Sequence, residues 1–224
     1  MCGIVAYVGH REASSIIVNG LRRLEYRGYD SAGLSLIHDE KINIFKKEGK
    51  VSELESILSG DALRSNTGIG HTRWATHGEP SDKNAHPHSS ASGKISLVHN
   101  GIIENYSALK QELSGKGYEF YSDTDTEVLV NLIEDIQKQD DCSLPEAVRR
   151  ALNAVVGAYA IVAMSADRPD QLVAARKGSP LVVGVGDGEF FFASDATPIV
   201  EYTKEVVYLN DFEIAVIAEG NLAM

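Results

Sequence analysis

The chain has 224 residues, of which 43% are hydrophobic, and its 21 basic and 32 acidic residues give a net charge of −11. A chain of this length and composition can bury a substantial core without disulfides. The acidic balance argues against a nucleic-acid or anionic-membrane surface. No apolar run approaches the length of a membrane span and no signal segment precedes Cys2, so we expect a cytoplasmic protein.

Cys2 lies at the N-terminus and carries the first chemical signal. Methionine aminopeptidase removes Met1 only when the next residue is small, and cysteine qualifies. The cut leaves on one residue a thiol with a pKa of about 8.5 and an α-amine with a pKa of about 7.7–8.0, so the amine can act as the base for the thiol. A chain that keeps Met1 has an amide there and should be inactive. Alternatively, Cys2 is only a small buried residue that begins a strand. The second cysteine, Cys142, lies in a polar stretch and is expected to be an incidental free thiol.

Hydrophobic periodicity predicts alternating strands and helices in the first half of the chain. The predicted elements are a strand at 4–8, a helix at 12–24, hairpin strands at 34–37 and 41–45, a surface helix at 51–58, a strand at 95–99 and a helix at 105–116. Residues 73–94 show no period and form a long loop, which in a compact domain is usually functional or disordered. The turn-forming pair Asn100-Gly101 is expected to end its strand.

Two capping boxes and a series of short apolar runs follow in the second half. Thr124 and Glu127 match a capping box that opens a helix, and Ser143 begins a second one. Further strands are predicted at 158–164, 172–175, 181–185, 189–193, 206–209 and 214–218. Strands at both ends with helices between them indicate an α+β fold of two stacked antiparallel sheets with helices outside, formed by one domain over residues 1–224.

Residues 71–78 include an arginine, a tryptophan, two hydroxyls and two imidazoles. We interpret this segment as a turn region that follows a strand. The planar guanidinium of Arg73 can donate two parallel hydrogen bonds to a carboxylate. Trp74, on a mobile loop, could cover a pocket. The alternative is a surface loop with a stacked Arg–Trp pair.

Three positions in the middle of the chain offer further polar groups. Asn100 and Gly101 supply a side-chain amide and an unencumbered backbone N–H, a donor pair that suits an oxyanion. The same dipeptide is also common in ordinary turns. Asp125, in the first turn of a helix, either only favours the helix dipole or binds a substrate ammonium.

Five histidines fall within one third of the chain and raise the question of a metal site. They are His71, His77, His86, His88 and His99. No HExxH or CxxC spacing is present, and a proline separates two of the imidazoles. We therefore expect no metal and no cofactor.

With these residues in view, the chain resembles the glutaminase domains of the glutamine–fructose-6-phosphate amidotransferases (glucosamine-6-phosphate synthases), which belong to the N-terminal-nucleophile amidotransferases. The run Cys2-Gly3-Ile4-Val5 resembles the N-terminal sequence of the broad amidotransferase class. Residues 22–33, 71–81, 84–88, 98–105 and 124–128 resemble the synthases specifically, so the similarity covers essentially the whole chain. It implies a four-layer αββα N-terminal-nucleophile hydrolase sandwich.

The resemblance implies catalytic roles for three residues. Cys2 would attack the side-chain amide of glutamine, and its α-amine would pass the proton to the leaving ammonia. A γ-glutamyl thioester would then be hydrolysed to glutamate. Asn100 and the N–H of Gly101 would hold the oxyanion.

It also implies binding roles around those three residues. Arg73 would bind the substrate carboxylate and Asp125 its ammonium, while Thr76 and His77 line the site and Trp74 closes over it as part of a loop. Weaker candidates for orienting the N-terminal residue are Arg27 and Gly28. His86 and Ser179-Pro180 match the family without an assigned role.

The chain departs from the complete synthases in length, because nothing in it resembles their isomerase portion. The expected partners are L-glutamine and that missing portion of a parent enzyme, itself expected to be a homodimer, with no nucleic acid and no membrane. The domain alone should hydrolyse glutamine without making glucosamine 6-phosphate.

Three other functions compete with this interpretation. A sister amidotransferase of purine or asparagine synthesis would share the chemistry, but residues 26–30 and 73–77 argue against both. A glutamine sensor without turnover becomes attractive if the amine of Cys2 stays blocked. A cysteine protease is disfavoured, since the charge pair of Arg73 and Asp125 would exclude a peptide backbone.

Overall fold

Two antiparallel sheets stack face to face in the computed structural model, which describes residues 2–58, 64–75 and 78–224. The first sheet contains, from edge to edge, β11 (Glu205–Tyr208), β9 (Val182–Val185), β10 (Phe190–Ala193), β1 (Gly3–Val8), β4 (Thr67–Arg73), β2 (Ser31–His38) and β3 (Lys41–Glu48). The second contains β13 (Asn221–Ala223), β12 (Ile214–Ala218), β8 (Arg168–Lys177), β7 (Gly157–Ser165), β6 (Ile95–Ile103) and β5 (His88–Ser89).

Helices cover the outer face of each sheet. On the first sheet lie α1 (Ala13–Leu24) and α2 (Val51–Leu58), and on the second lie α3 (Tyr106–Gly115), α4 (Asp125–Asp140) and α5 (Leu144–Ala154). The order of layers is therefore helix, sheet, sheet, helix, which confirms the predicted fold class. Within the described ranges, no helix is both long enough and apolar enough to cross a bilayer.

The alternation of side chains along β1 shows how one strand serves two cores. Ile4 and Ala6 pack into the core between the sheets, whereas Val5 and Tyr7 pack beneath α1. A period of two is what an extended strand buried on both faces requires. All of these side chains are buried, so β1 is fixed in the middle of its sheet.

The register of β1 determines what surrounds the N-terminus. Gly3 pairs with Thr72 of β4, and Val5 pairs with Ala193 of β10, both in antiparallel fashion. Because antiparallel neighbours run in opposite directions, the start of β1 lies beside the C-terminal ends of β4 and β10. The segments after Arg73 and Ala193 therefore meet at Cys2.

Several predicted boundaries were wrong. The strand from Ile95 continues through Asn100-Gly101 to Ile103, because Gly101 adopts φ +135° and keeps its place opposite Tyr159 of β7. Residues 71–73 belong to β4 and not to a turn. The C-terminal tail forms a short strand on the edge of the second sheet, through pairs such as Val216 with Ala223.

The two predicted capping boxes form only in part. Thr124 accepts the N–H of Glu127 at 3.3 Å, as an N-cap does. The carboxylate of Glu127 reaches past Thr124 and accepts the N–H groups of Tyr121 and Ser122 at 2.9 and 2.7 Å. Ser143 makes no side-chain cap bond at the start of α5.

Candidate active site

A pocket of about 290 Å³ opens where the start of β1 meets the ends of β4 and β10 and the stacked strand β6. Its size suits a ligand no larger than an amino acid, since pockets for larger organic ligands begin near about 300 Å³. Most of the residues predicted from the sequence line it: Cys2, Arg27, Arg73, Trp74, His86, Asn100, Gly101 and Asp125. Thr76 and His77 lie outside the described residues.

Cys2 is held by the backbone of the residue that follows β4. Its Sγ accepts the N–H of Trp74 at 3.2 Å, and the thiol donates to the carbonyl of Trp74 at 3.5 Å. Burial raises the pKa of the Cys2 thiol, and the hydrogen bond from Trp74 offsets only part of that increase. At neutral pH the sulfur is therefore a thiol that needs a base before it can attack.

The carbonyl oxygen of Cys2 is fixed from two sides. Arg27 donates to it from Nε at 3.2 Å, and Asn100 donates from Nδ2 at 3.1 Å. The guanidinium of Arg27 is nearly buried and forms an ion pair with Asp195 at 3.1 Å, while Tyr26 donates to the same carboxylate oxygen at 2.8 Å. This geometry gives Arg27 the contacts that its predicted orienting role requires.

Gly28 packs against the segment that joins β4 to Trp74. A Cβ at this position would lie 2.7 Å from the backbone carbon and oxygen of Arg73, so the turn at Gly28 packs directly against the chain leading to Trp74. Asp30 adds a second support, because its carboxylate accepts the N–H of Ala75 at 2.6 Å. The turn after α1 thus positions the backbone that contacts the sulfur.

Asn100 and Gly101 lie together on β6, on the second sheet. The Asn100 amide donates to Cys2 as described and to the hydroxyl of Ser194 at 3.2 Å, while its Oδ1 accepts from Nε2 of His71 at 2.9 Å. A Cβ at Gly101 would lie 2.0 Å from the carbonyl oxygen of Ala158, so this close approach excludes any other residue.

Arg73 and Asp125 bring opposite charges into the pocket while being almost fully buried, at 3% and 4% exposure. The guanidinium of Arg73 donates to the carbonyl of Gly78 at 3.0 Å, and Asp125 accepts the N–H of Ile103 at 2.8 Å. Burial lowers the pKa of Arg73, and the neighbouring acidic groups of Cys2, Asp30 and Asp125 counteract this. Asp125 is the first residue of α4, so both expectations for it, a helix-dipole position and a place in the site, fit its location.

Trp74 contributes its backbone to Cys2 and leaves much of its side chain in solvent. The indole is 47% exposed and meets the ring of Tyr29 edge-on, with 5.5 Å between centroids. Because nearly half of the indole is in solvent, the ring has room to move toward the pocket, which fits the predicted covering role.

His86 belongs to a layer of buried imidazoles beneath the pocket. It stacks on His71 with 4.3 Å between ring centroids, and its Nε2 lies 2.7 Å from the hydroxyl of Thr126. Burial lowers the pKa of His71 to about 3 and those of His86 and His88 well below the usual value. Within residues 2–58, 64–75 and 78–224, no group of three or more potential ligands is arranged to hold a metal ion.

Sequence reasoning missed the contribution of the segment after β10. Ser194 accepts the N–H of Ile4 at 2.6 Å as well as the Asn100 amide, and Asp195 anchors Arg27. These two polar residues directly follow the apolar run 190–193. That pattern could have indicated that the strand ends at a functional site. Ser179 and Pro180, which matched the family without a role, also line the pocket.

Comparison with known proteins agrees with this geometry. The family profile described as "Glutamine amidotransferase domain" matches residues 71–201. The glutamine–fructose-6-phosphate aminotransferase (isomerizing) of Bacteroides thetaiotaomicron is 59% identical over 221 residues, which cover 98% of this chain and 36% of that protein. The protein of the same name from Chlorobaculum tepidum is 61% identical over 99% of this chain and 36% of its own length.

A solved structure shows the same fold. The glutamine phosphoribosylpyrophosphate amidotransferase from B. subtilis, complexed with ADP and GMP, aligns with a TM-score of 0.83 at 28% identity, over 99% of this chain and 48% of that chain. The chain spans only 36% of the length of the two aminotransferases. Because the family profile covers more than half of the 224 residues, this chain belongs to the glutamine amidotransferase domain family.

Proposed function

We propose that the domain hydrolyses the side-chain amide of L-glutamine to glutamate and ammonia, with Cys2 as the nucleophile. The observation that carries the proposal is that one pocket holds a half-buried thiol, a pair of oxyanion donors on β6 and two opposite charges. The thiol can attack the amide carbon of the substrate, and the two donors can bind the amide oxygen. The two charges match the α-carboxylate and the α-ammonium.

The first half of the reaction forms a thioester. After removal of Met1, the α-amine of Cys2 takes the thiol proton as the sulfur bonds to the amide carbon. Asn100 Nδ2 and the N–H of Gly101 stabilise the negative oxygen of the tetrahedral intermediate. The C–N bond then breaks, and the ammonium form of the N-terminus donates its proton to the departing ammonia.

The second half returns the enzyme to its starting state. The α-amine removes a proton from water, whose oxygen attacks the γ-glutamyl thioester through a second tetrahedral intermediate held by the same donors. The C–S bond breaks, the thiol regains a proton, and glutamate leaves. No oxidant, metal or cofactor takes part in this sequence of steps.

Substrate selection rests on the two buried charges. Arg73 binds the α-carboxylate and Asp125 binds the α-ammonium, so that a simple amide would leave both charges without a ligand partner. Trp74 covers the bound substrate. Arg27 acts through the backbone carbonyl of Cys2, and Gly28 acts through the backbone of the segment after Arg73. His86 packs beneath the pocket.

In a longer parent enzyme the ammonia would pass to fructose 6-phosphate, as the names of the two aminotransferases indicate for those proteins. Identities of 59% and 61% favour this acceptor over phosphoribosylpyrophosphate, whose amidotransferase is 28% identical. The proposal treats residues 1–224 as a single glutaminase domain whose partner is an isomerase portion. A cytoplasmic, homodimeric parent without nucleic-acid or membrane contacts is part of the same proposal.

The test of substrate selection compares Arg73→Gln, Asp125→Asn and the unchanged chain. Removing either charge should weaken glutamine binding by about 1.5–3 kcal/mol, or about 10–150-fold in KM, because each forms a charge-assisted bond to substrate. Binding to Cys2→Ala, measured by calorimetry, should stay close to the KM of the unchanged chain. Tight binding by a chain with a free Cys2 amine that releases no ammonia would instead identify a glutamine sensor.

A further inference from the structure

We propose that His71 is a positioning residue that sets the orientation of the Asn100 amide and so the polarity of the oxyanion site. This inference rests on the proposed glutamine hydrolysis. It adds a residue that touches neither the sulfur nor the pocket, because His71 is fully buried on β4 behind Asn100.

The contacts of His71 determine which ring nitrogen carries hydrogen. Nε2 lies 3.1 Å from the backbone carbonyl of His99 and 2.9 Å from Oδ1 of Asn100. A carbonyl oxygen only accepts, so Nε2 must be the N–H and donates to both oxygens. Among the described residues, Nδ1 of His71 has no hydrogen-bond partner, which fits a bare lone pair on a neutral ring.

This single N–H distinguishes the two ways in which the Asn100 amide can lie. With Oδ1 toward His71, Nδ2 faces Cys2 and Ser194 and donates to the carbonyl of the first and the hydroxyl of the second. In the transition state the oxyanion would replace one of these two acceptors. A flipped amide would turn Nδ2 toward the N–H of His71 and present Oδ1 to the developing oxyanion. That arrangement would replace an attraction in the transition state with a repulsion.

The surroundings keep His71 in this state. Burial lowers its pKa to about 3, so the ring is neutral at neutral pH. The ring stacks on His86, and the ring of His99 is fixed by Thr126, whose hydroxyl lies 3.0 Å from Nδ1 of His99. The residue that precedes Asn100 is thus held by His71 at its backbone and by Thr126 at its side chain.

A double-mutant cycle tests the inference. His71→Phe keeps an aromatic ring on His86 but loses the donor, and His71→Gln keeps a donor. Each is combined with Asn100→Ala, and kcat and KM for ammonia release from glutamine are measured on chains with a confirmed free Cys2. We expect H71F to lower kcat about 10–100-fold with KM changed less than about threefold, because oxyanion stabilisation acts only in the transition state.

The cycle separates positioning from general structure. If His71 acts through Asn100, H71F should cost less than about twofold further in the Asn100→Ala background, and His71→Gln should restore most of kcat. An equal loss in both backgrounds, or no loss in H71F alone, overturns the inference while leaving glutamine hydrolysis intact. A wild-type chain with a free Cys2 amine that releases no ammonia rejects the proposed function, and this role with it.

Nitrogen-15 NMR of histidine-labelled wild-type chain provides a second measurement, independent of variant folding. The proposal requires His71 to carry hydrogen on Nε2 and not on Nδ1. A ring protonated on Nδ1 alone would rule out donation to Asn100 and so reject the inference.

Discussion

The backbone N–H of Trp74 donates to Sγ of Cys2 at 3.2 Å, which joins the nucleophile to the segment whose side chain is proposed to cover the pocket. The contact follows from topology, since Trp74 is the first residue after β4 and Cys2 is the residue before β1. It exists whatever side chain stands at position 74. The indole can therefore move while the sulfur stays in place.

The pH dependence of alkylation should reveal the state of the sulfur. Burial raises the pKa of the Cys2 thiol, so below that value the thiolate fraction grows about tenfold per pH unit. In a Cys142→Ser background, iodoacetamide labelling of Cys2, followed by mass spectrometry, should accelerate about a hundredfold between pH 7 and pH 9. A rate that levels off below pH 8 would show that the thiolate is favoured, contrary to this account.

Gly101→Ala should remove both activity and stability. The new Cβ would lie 2.0 Å from the carbonyl oxygen of Ala158, at a backbone φ of +135°. Strain and overpacking together should lower the free energy of unfolding by about 3 kcal/mol or more, as measured by urea unfolding.

Gly93→Ala is the matched control for this change. Gly93 also has positive φ, +74°, but a Cβ there meets nothing within 4 Å. Its cost should be limited to backbone strain of about 1–2 kcal/mol, with ammonia release unchanged. Equal costs for the two alanines would mean that the approach of Gly101 to β7 is not the constraint.

Short local patterns were enough to predict much of the site. Arg73, Asn100 and Asp125 were identified because a bidentate cation, an oxyanion donor and a first-turn carboxylate are readable within a few residues. The strand through Gly101 was missed because the local turn preference of Asn-Gly was overridden by pairing with β7. Local sequence carries no information about a partner strand 58 residues away, as in the pair Gly101 and Tyr159.

The contribution of Ser194 and Asp195 to the site also depends on long-range strand pairing. β10 follows β7 and β8 along the chain, yet it does not join their sheet and pairs with β1 in the first sheet. That pairing brings Asp195 to Arg27 and Ser194 to Asn100. No spacing rule links residues so distant in sequence, so these supports emerge only from the fold.

Acid should destabilise the domain through its buried imidazoles. The pKa of His71 is lowered to about 3 and those of His86 and His88 also fall well below the unfolded value of about 6.5. Below pH 6.5 the unfolded chain therefore binds protons that the folded chain does not, and stability falls as pH decreases toward the folded pKa values. Urea unfolding at pH 7.5, 6.5 and 5.5 should show this loss.

A substitution measures the share of one histidine in that loss. His88→Gln should reduce the slope between pH 6.5 and 5.5 by up to about one proton, or about tenfold per pH unit in the folding equilibrium constant. His10→Gln, at an exposed position, controls for the loss of an imidazole. A wild-type stability that does not change over this range contradicts the expectation.

The central claim is that the thiol and the free α-amine of Cys2 together hydrolyse glutamine. It is tested most directly by ammonia release from L-glutamine, with intact mass confirming the N-terminus of each sample. The account predicts turnover by the chain that begins at Cys2 and none by Cys2→Ala or by a homogeneous chain that retains Met1. Full turnover with Met1 retained would contradict the role of the amine, and turnover by Cys2→Ala would contradict the role of the sulfur.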